Sequence, residues 1–534
     1  MKKIKLFLVL TVGALLFSCE DAYRIEQDGE FGEDVTFLSV KDMEDYLLET
    51  YDKVNIHDEI AFTSYFTDEV AIGSANAGQN AEIYNHVLNN RDGLASSIWL
   101  THYTLINYAN RVLRGAARVT PEPDEVLRYN SIIAQAKALR AFGHFQLLTY
   151  FSEDIKNPAS LGVILMDRVP ASMYEKLPRS TTGEVFALIE SDLAAAENVP
   201  VVLRANLPVA LKPYHFINPN FFKAFRARMY AYKGEYGLAA QYANDLIDNS
   251  GVSLTIAWLP STIPSQLPPA NGAVFPASFY GTSSRSPYRL MFADLEQGEV
   301  LFASGRPAGK GTIADIFYTN RTNLSGAPLH DMGRNLFTLL GRSGNRNVDN
   351  SDIRGRAFLD PTTVAMIDPL DPSVDYIAND VLCIDKYPGK TGADLTNDLK
   401  IFRLSEMYFI RAEAFASAGS LNGATNSVAS VLKQIRDVRN YRGIAQPLPV
   451  YASPAEAWAD ILKERRLELC YEGHRYVDLR RLGPLANVTI DRFSRDCSIA
   501  TGCDLPLTDH KLKYLPIPQT EIMGNPTIKQ NLGY

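Results

Sequence analysis

Apolar residues recur at helical spacing along most of this chain, and this pattern limits the folds that it can adopt. Val40, Met43 and Leu47 fall on one face of a helix, and residues 99–113 and 133–151 show the same spacing. Further helices are predicted at residues 182–198, 219–233, 236–249, 398–418, 423–440 and 454–471. The pattern therefore predicts a mainly α fold.

Two segments indicate helices that pair with each other. In residues 227–243 a glycine turn separates two helical stretches that carry small residues where they would cross, and residues 412–424 repeat this arrangement. Small residues let paired helices approach closely, as they do in tetratricopeptide-type hairpins. We expect several divergent hairpins of this kind, with ordinary helix pairing as the alternative.

The centre of the chain has a different character. Pro, Gly, Ser and Asn are dense between residues 250 and 385, and one strand is predicted at residues 299–303. A long loop-rich segment inside a globular protein is usually either functional or disordered. Five aspartates crowd residues 360–380, but they lack the spacing of a calcium loop, so a solvated loop is the better interpretation.

The amino terminus has the pattern of an export signal. Lys2, Lys3 and Lys5 precede an apolar run at residues 6–16, which is too short to span a bilayer as a permanent helix. Cys19 follows this run closely, after Phe17 and Ser18. This arrangement is similar to a bacterial lipoprotein signal, in which the cysteine is acylated and becomes the first mature residue. The alternative is an ordinary secretory signal with a chance cysteine.

Charge and cysteine content narrow the possible partners. The chain has 534 residues and a net charge of −8, which argues against nucleic acid as a ligand. An exported chain can form disulfides, and Cys497 and Cys503 enclose a short loop in which a local bridge is plausible. Cysteine spacing typical of a metal site is absent, so we expect neither a metal nor a cofactor.

Catalytic motifs are scarce in this sequence. Residues 305–312 superficially resemble a phosphate-binding loop, but their glycine spacing is wrong. Residues 464–483 are dense in charge, with Glu464, Glu468 and Glu472 on one helical face. We interpret this segment as a structural ion-pair network rather than an acid–base site.

Four segments together resemble one family, the SusD/RagB lipoproteins of Bacteroidetes. The segment ILKERRLELCYEGHRYVDLRRLG at residues 461–483 is similar to the family's carboxyl-terminal signature almost position for position. IFRLSEMYFIRAEA at residues 401–414 and AKALRAFGHFQLLTYF at residues 136–151 look like its helical motifs. LPIPQTE and NPTIKQNLGY, at residues 515–521 and 525–534, look like its closing sequence.

The resemblance implies a SusD-like fold, mainly helical, with about four tetratricopeptide-like hairpins packed against a loop-rich half that has few short strands. Together with the amino-terminal pattern and the loop-rich centre, it divides the chain into a signal peptide (1–18), a lipid-anchored tether (19–38), an N-terminal helical part (39–250), a loop-rich ligand-binding part (251–385) and a C-terminal part (386–534).

The resemblance also implies a function. Family members are surface-exposed, lipid-anchored proteins of the outer membrane that bind a nutrient, usually a glycan, and act as the lid of a SusC-like TonB-dependent transporter. They are not enzymes. Some members serve peptide uptake, so a peptide or another nutrient is the alternative ligand.

A sugar site would combine aromatic faces with hydrogen-bonding side chains on loops. The first loop offers Asn76, Gln79, Asn80 and Tyr84. The second region offers Trp258, Tyr280, Arg285, Tyr288 and Phe292. A loop aromatic is often simply packed in the core, and this remains the alternative for each of these residues.

Overall fold

The computed structural model describes residues 36–172, 175–202, 211–258, 277–320, 327–343, 347–348, 351–497 and 503–534. Helices dominate these residues. In chain order they are α1 Val40–Asp52, α2 His57–Phe66, α3 Ala81–Tyr84, α4 Gly93–Ala116, α5 Val126–Phe151, α6 Thr182–Ala196, α7 Pro219–Lys233, α8 Tyr236–Asn249, α9 Ala277–Tyr280, α10 Pro287–Phe292, α11 Arg334–Leu339, α12 Arg354–Ala357, α13 Tyr376–Asn379, α14 Leu404–Ser417, α15 Val428–Arg439, α16 Pro454–Leu469, α17 Arg475–Ala486 and α18 Gln519–Gly524.

The strands of the described residues are short and form three antiparallel pairs. They are β1 Val70–Ile72, β2 Val300–Ser304, β3 His330–Met332, β4 Arg342–Ser343, β5 Asn347–Val348 and β6 Leu399–Arg403. β1 pairs with β3, β2 with β6 and β4 with β5. The strand predicted at residues 299–303 is confirmed as β2. Because helices dominate and the strands are few and short, the predicted mainly helical fold is confirmed as well.

Four hairpins of consecutive helices form the scaffold: α4 with α5, α7 with α8, α14 with α15, and α16 with α17. α8 also packs against α14, which joins the second hairpin to the third. Ala227, Ala231, Ala239 and Ala243 on α7 and α8 are completely buried, as close helix approach requires. Gly234 ends α7 with φ +78°, a left-handed conformation that favours glycine. The predicted hairpins are confirmed.

Side-chain caps explain where several of these helices begin. At α6, the Thr181 hydroxyl accepts from the backbone N–H of Glu184, whose carboxylate accepts from the backbone N–H of Thr181. At α16, Ser453 accepts from the N–H of Glu456, and Pro454 takes the first helical position. These caps are local sequence signals, so they make the helix starts predictable.

Two predicted helices begin too early. The helix predicted over residues 423–440 begins only at Val428. The helix predicted over residues 398–418 begins at Leu404, and the residues before it form β6. All five residues of β6 are buried, and the strand pairs with β2, which lies about a hundred residues earlier in the chain. Because the pairing partner is distant in sequence, the helical spacing of this segment could not reveal it.

The charged segment of α16 forms a buried ion-pair network, which confirms its structural interpretation. Arg403 pairs with Glu299, Glu468 and Glu472 at 2.6, 2.9 and 2.7 Å. Arg439 binds Glu299 and Glu468 at 2.8 and 2.9 Å. These side chains are at most 2% exposed, so every charge in the network depends on its partners.

The predictions for the amino terminus concern residues outside the described part of the chain. Cys19, the signal peptide and nearly all of the tether precede Thr36, where the description begins. Among the residues that are described, no helix has the length and hydropathy needed to cross a membrane. At the other end of the chain, Cys497 and Cys503 form a disulfide with their Cα atoms 5.3 Å apart.

Candidate functional site

A basin of about 520 Å³ opens in the loop-rich half of the molecule. This volume lies in the range of small-ligand sites. Its walls come from five separate stretches of chain: residues 212–215, 280–282, 293–295, 307–308 and 388–398. The basin therefore exists only where distant loops meet.

Two tyrosines supply the aromatic surface of the basin. Tyr214 stands on the short 3₁₀ turn Pro213–His215, and Tyr280 ends α9; both side chains are partly exposed. The ring of Phe279 meets Tyr280 edge to face, with centroids 4.9 Å apart, and Trp258 stacks behind Phe279 at 6.0 Å. Tyr280 is therefore supported from behind and keeps a fixed position at the rim.

The polar floor of the basin is centred on Asp398. One of its carboxylate oxygens accepts from Lys390 Nζ at 2.6 Å and from the backbone N–H of Arg306 at 2.7 Å. The other lies 3.1 Å from His215 Nε2. Both oxygens thus have donors, which holds this buried carboxylate in one orientation.

A second carboxylate, Asp294, braces the same floor. It accepts from Lys400 Nζ at 2.7 Å, from Asn397 Nδ2 at 2.8 Å and from the backbone N–H of Asp398 at 2.8 Å. Its backbone has φ +59°, an uncommon conformation for a residue other than glycine. These contacts connect the residues just after α10 to β6 and to the residues just before it.

The hydrogen bonds fix the charge state of the floor. The backbone N–H of Lys212 donates to His215 Nδ1 at 3.1 Å, so Nε2 carries the proton that points to Asp398. Burial opposes ionisation of Asp398, but the donors from His215 and Lys390 outweigh it and hold the pKa of this carboxyl well below its usual range. Asp398 is therefore ionised at neutral pH and has no proton to donate.

The first predicted loop is divided between the interior and the surface. Asn76 is buried and donates from Nδ2 to the carbonyl oxygen of Leu329 at 3.1 Å. Tyr84 is buried too, with its hydroxyl donating to the carbonyl oxygen of Asp496 and Arg492 lying 4.0 Å from its ring centroid. Their burial contradicts a role in contacting ligand. Gln79 and Asn80 are exposed but lie outside the basin, and for them the role stays a prediction.

The second predicted region is mostly core. Tyr288 and Phe292 are fully buried, and the Tyr288 hydroxyl donates to Glu468 at 3.0 Å, so neither ring can stack on a ligand. Trp258 is 8% exposed and acts as the support of Phe279 instead. Arg285 is partly exposed but does not line the basin, so its role also stays a prediction. Of this group only Tyr280 lines the basin.

Sequence reasoning missed all the other basin residues, among them Tyr214, His215, Lys390 and Asp398. Tyr214 had one usable signal, because Lys212, Pro213 and Tyr214 form a polar and aromatic loop just before a helix start. Lys390 and Asp398 had none, since their roles depend on which distant loops face them. Nowhere in the described residues does a group of three or more His, Cys, Asp or Glu side chains form a potential metal site.

Comparison with known protein families gives two matches, one in each half of the chain. Residues 384–534 match the SusD family, and residues 30–204 match a family described as starch-binding and associating with the outer membrane. The chain belongs to the SusD/RagB family. Its SusD-like fold is therefore the one that the sequence resemblance implied.

Two curated relatives match this chain over most of their length. The chain is 21% identical to SusD-like protein P2 of Formosa agariphila over 85% of this chain and 83% of the relative. It is 23% identical to SusD-like protein P38 of the same organism over the whole of both chains.

Solved structures share the fold of this SusD-like chain. A SusD superfamily protein of Bacteroides thetaiotaomicron matches with a TM-score of 0.65 and 22% identity, over 92% of this chain and all of the other. A SusD-like carbohydrate binding protein of Bacteroides vulgatus matches with a TM-score of 0.64 and 16% identity, over 92% and 98%. At such low identity these likenesses establish the fold alone.

Proposed function

We propose that this protein binds a glycan in the basin between Tyr214 and Tyr280. The observation that carries the proposal is the joint presence of two partly exposed aromatic rings and a fixed polar floor in one cavity of about 520 Å³. Sugar rings present apolar C–H faces and a rim of hydroxyl groups, and this basin complements both. The carbohydrate binding protein of Bacteroides vulgatus with the same fold supports the choice of ligand class.

The floor and the rim divide the work of recognition. Thr282 and Thr391 at the exposed rim both donate to and accept from sugar hydroxyls, and the partly exposed Lys390 is held in place by the buried carboxylate of Asp398. Because the floor is held by its own hydrogen bonds before ligand arrives, little side-chain entropy is lost on binding.

The charge state of the floor favours binding over catalysis. Glycoside hydrolysis needs a carboxylic acid that holds a proton near neutral pH. Asp398 has a lowered pKa, because the donors around it outweigh its burial, so it cannot supply that proton. Asp398 therefore does not serve as that acid, and from the membership in the SusD/RagB family we propose that the protein is not an enzyme.

Family membership extends the proposal to the cell surface. We propose that Cys19 carries a lipid anchor in the outer membrane and that the protein delivers its glycan to a SusC-like TonB-dependent transporter as its lid. The match to a family described as associating with the outer membrane supports this location. Copurification of a TonB-dependent transporter with the tagged protein from outer membranes is expected, and its absence would contradict the lid role.

Calorimetry with a panel of oligosaccharides and peptides tests the ligand class. We expect binding to at least one oligosaccharide, without release of reducing ends. Tyr280→Ala and Tyr214→Ala should each lower its affinity about 5- to 100-fold, as loss of a stacked ring costs about 1–3 kcal/mol.

Tyr408→Ala is the matched control, because Tyr408 is a partly exposed tyrosine on α14 outside the basin. The affinity of Tyr408→Ala for the oligosaccharide should equal that of the unmodified protein. Binding of peptides but of no oligosaccharide would show that the ligand is the alternative one, a peptide. Oligosaccharide binding that neither basin variant weakens would show that the glycan site lies outside the basin.

A further inference from the structure

A small cavity lies inside the scaffold, where the first helices of the chain meet the charged signature of residues 461–483. It measures about 30 Å³. Its wall comes from α2, α5, α7, β6, α17 and the turn between α16 and α17. The described residues that line it are all buried except Gly473, and it shares none of them with the basin. We refer to it as the signature cavity.

The turn of the signature shapes one side of this cavity. Glu472, Gly473 and His474 all line it. Gly473 has φ +82°, a left-handed conformation that favours glycine. Its carbonyl oxygen lies 3.4 Å from the hydroxyls of both Thr63 on α2 and Tyr150 on α5, and each of them donates to it. Two helices from the other end of the chain thus hold the turn against the cavity.

Two polar atoms of the cavity's lining residues lack a partner. Glu59 Oε1 is hydrogen-bonded to Nε2 of His102, whereas Glu59 Oε2 has no hydrogen-bond partner among the described residues. The hydroxyl of Thr149 is without a partner in the same part of the chain. Both Glu59 and Thr149 are only 2% exposed. Buried polar atoms are rarely left unpaired in proteins, and ordered water is their usual partner where the protein supplies none.

His474 adds a donor and an acceptor to the same wall. Burial, reinforced by the nearby guanidinium of Arg228, holds the pKa of His474 well below its usual range. The ring is therefore neutral at physiological pH, with one N–H donor and one acceptor nitrogen. A water molecule can both donate and accept, so it fits this ring, the carboxylate of Glu59 and the hydroxyl of Thr149 together.

The size of the cavity suits water as well. A cavity of this kind needs about 10–15 Å³ for each water that it holds. Its volume of about 30 Å³ therefore has room for about two waters and for nothing as large as a sugar ring.

The charges around the cavity favour water over an ion. Glu472 pairs with Lys386 at 2.6 Å and with Arg403 at 2.7 Å, and Arg228 pairs with Glu406 at 2.6 Å. Because these lining charges already have partners of opposite sign, an ion would bring an uncompensated charge into the interior, which is costly. Water adds hydrogen bonds without adding charge.

We propose that the signature cavity is an internal hydration site that holds about two ordered waters, bound by Glu59 Oε2, Thr149 Oγ1 and the His474 ring. These waters would join α2, α5 and the signature turn through hydrogen bonds that the protein's own atoms do not make. The site belongs to the scaffold, so the proposal holds whether or not the basin binds a glycan.

A high-resolution crystal structure of the full chain, refined first with the cavity empty, tests this proposal. Difference density should appear about 2.5–3.2 Å from Glu59 Oε2 and Thr149 Oγ1. Crystals soaked in rubidium or bromide salts distinguish water from an ion, because a cation or anion site then gives anomalous scattering in the cavity. An empty cavity or an anomalous peak inside it would overturn the proposal.

Thr149→Val tests the site in solution, because it removes the hydroxyl and nearly keeps the shape of the side chain. Oxygen-17 relaxation dispersion should count fewer long-lived waters in this variant, and its crystals should lose the density beside residue 149. Thr50→Val is the matched control: Thr50 is also buried, but its hydroxyl donates to the carbonyl oxygen of Tyr46 at 2.9 Å and does not line the cavity. Its count should equal that of the unmodified protein. An unchanged count and unchanged density in Thr149→Val would contradict the proposal.

Discussion

At the residue scale, position decides what a side chain can do more than its type does. Tyr280 and Tyr288 are both loop aromatics in the sequence, eight positions apart. Tyr280 lies at the rim of the basin, whereas Tyr288 is fully buried and donates a hydrogen bond to Glu468. The difference arises because Tyr288 faces the ion-pair network, which comes from segments that are distant in the sequence.

His57 provides a pH test at the same scale. Its ring lies 3.0 Å from both Asp58 and Asp315. Burial disfavours the charged ring, but the hydrogen bonds to Asp315 and Asp58 outweigh it and raise the pKa of His57 to about 9. Because this value exceeds the unfolded pKa of about 6.5, the protonated ring stabilises the fold fully below pH 6.5 and loses that effect as the pH rises through 9.

We expect His57→Asn to remove part of the pH dependence of stability. Urea denaturation should show that the unmodified protein's advantage in unfolding free energy over the variant is about 3 kcal/mol larger at pH 6 than at pH 10, at 1.36 kcal/mol per unit of pKa shift. His510→Asn is a control, since His510 is a partly exposed histidine near the chain's end. Equal pH dependence in the unmodified protein and His57→Asn would contradict this prediction.

At the scale of elements, helix hairpins depend on small residues at their crossings. Ala243 on α8 is fully buried, and α8 packs against both α7 and α14. Since interiors are close-packed, a larger side chain there must push helices apart. This explains why a run of alanines in the sequence is informative about tertiary structure.

Ala243→Leu should therefore destabilise the protein by about 1–3 kcal/mol. Chemical denaturation followed by circular dichroism measures this loss as a lower midpoint. Gln241→Leu places the same side chain on an exposed position of the same helix and should change stability by no more than about 0.5 kcal/mol. Equal effects of the two variants would show that the crossing is not tightly packed.

At the scale of the whole molecule, buried ion pairs join the loop-rich half to the helices. Glu468 on α16 forms ion pairs with Arg403 at the end of β6, Arg439 at the end of α15 and Arg354 on α12. The donors outweigh the effect of burial and hold the pKa of Glu468 well below its usual range. One carboxylate therefore links three elements.

Glu468→Gln should cost about 3–5 kcal/mol of folding free energy, because buried guanidinium groups lose their counter-charge. Thermal and urea denaturation at neutral pH provide the measurement. Glu456→Gln on the same helix is the matched control, since Glu456 is exposed, and it should cost less than about 1 kcal/mol. A neutral Glu468→Gln would mean that the network is dispensable for stability.

The sequence by itself determined the helices, their hairpins and the family. Apolar spacing, caps such as Ser453 and the small residues of α7 and α8 are local signals, and local signals are readable without a structure. The signature at residues 461–483 was readable for the same reason, and the structure then explained its charges as a buried network.

Tertiary structure alone decided the basin and the fate of the predicted ligand residues. Tyr214, Tyr280 and the pair Lys390 and Asp398 come from three separate stretches of the chain, and nothing near any one stretch in the sequence specifies the others. The same long-range contacts buried Tyr84, Tyr288 and Phe292 and turned the start of a predicted helix into β6. Periodicity reports which face of one element is apolar, whereas a site depends on which elements face each other.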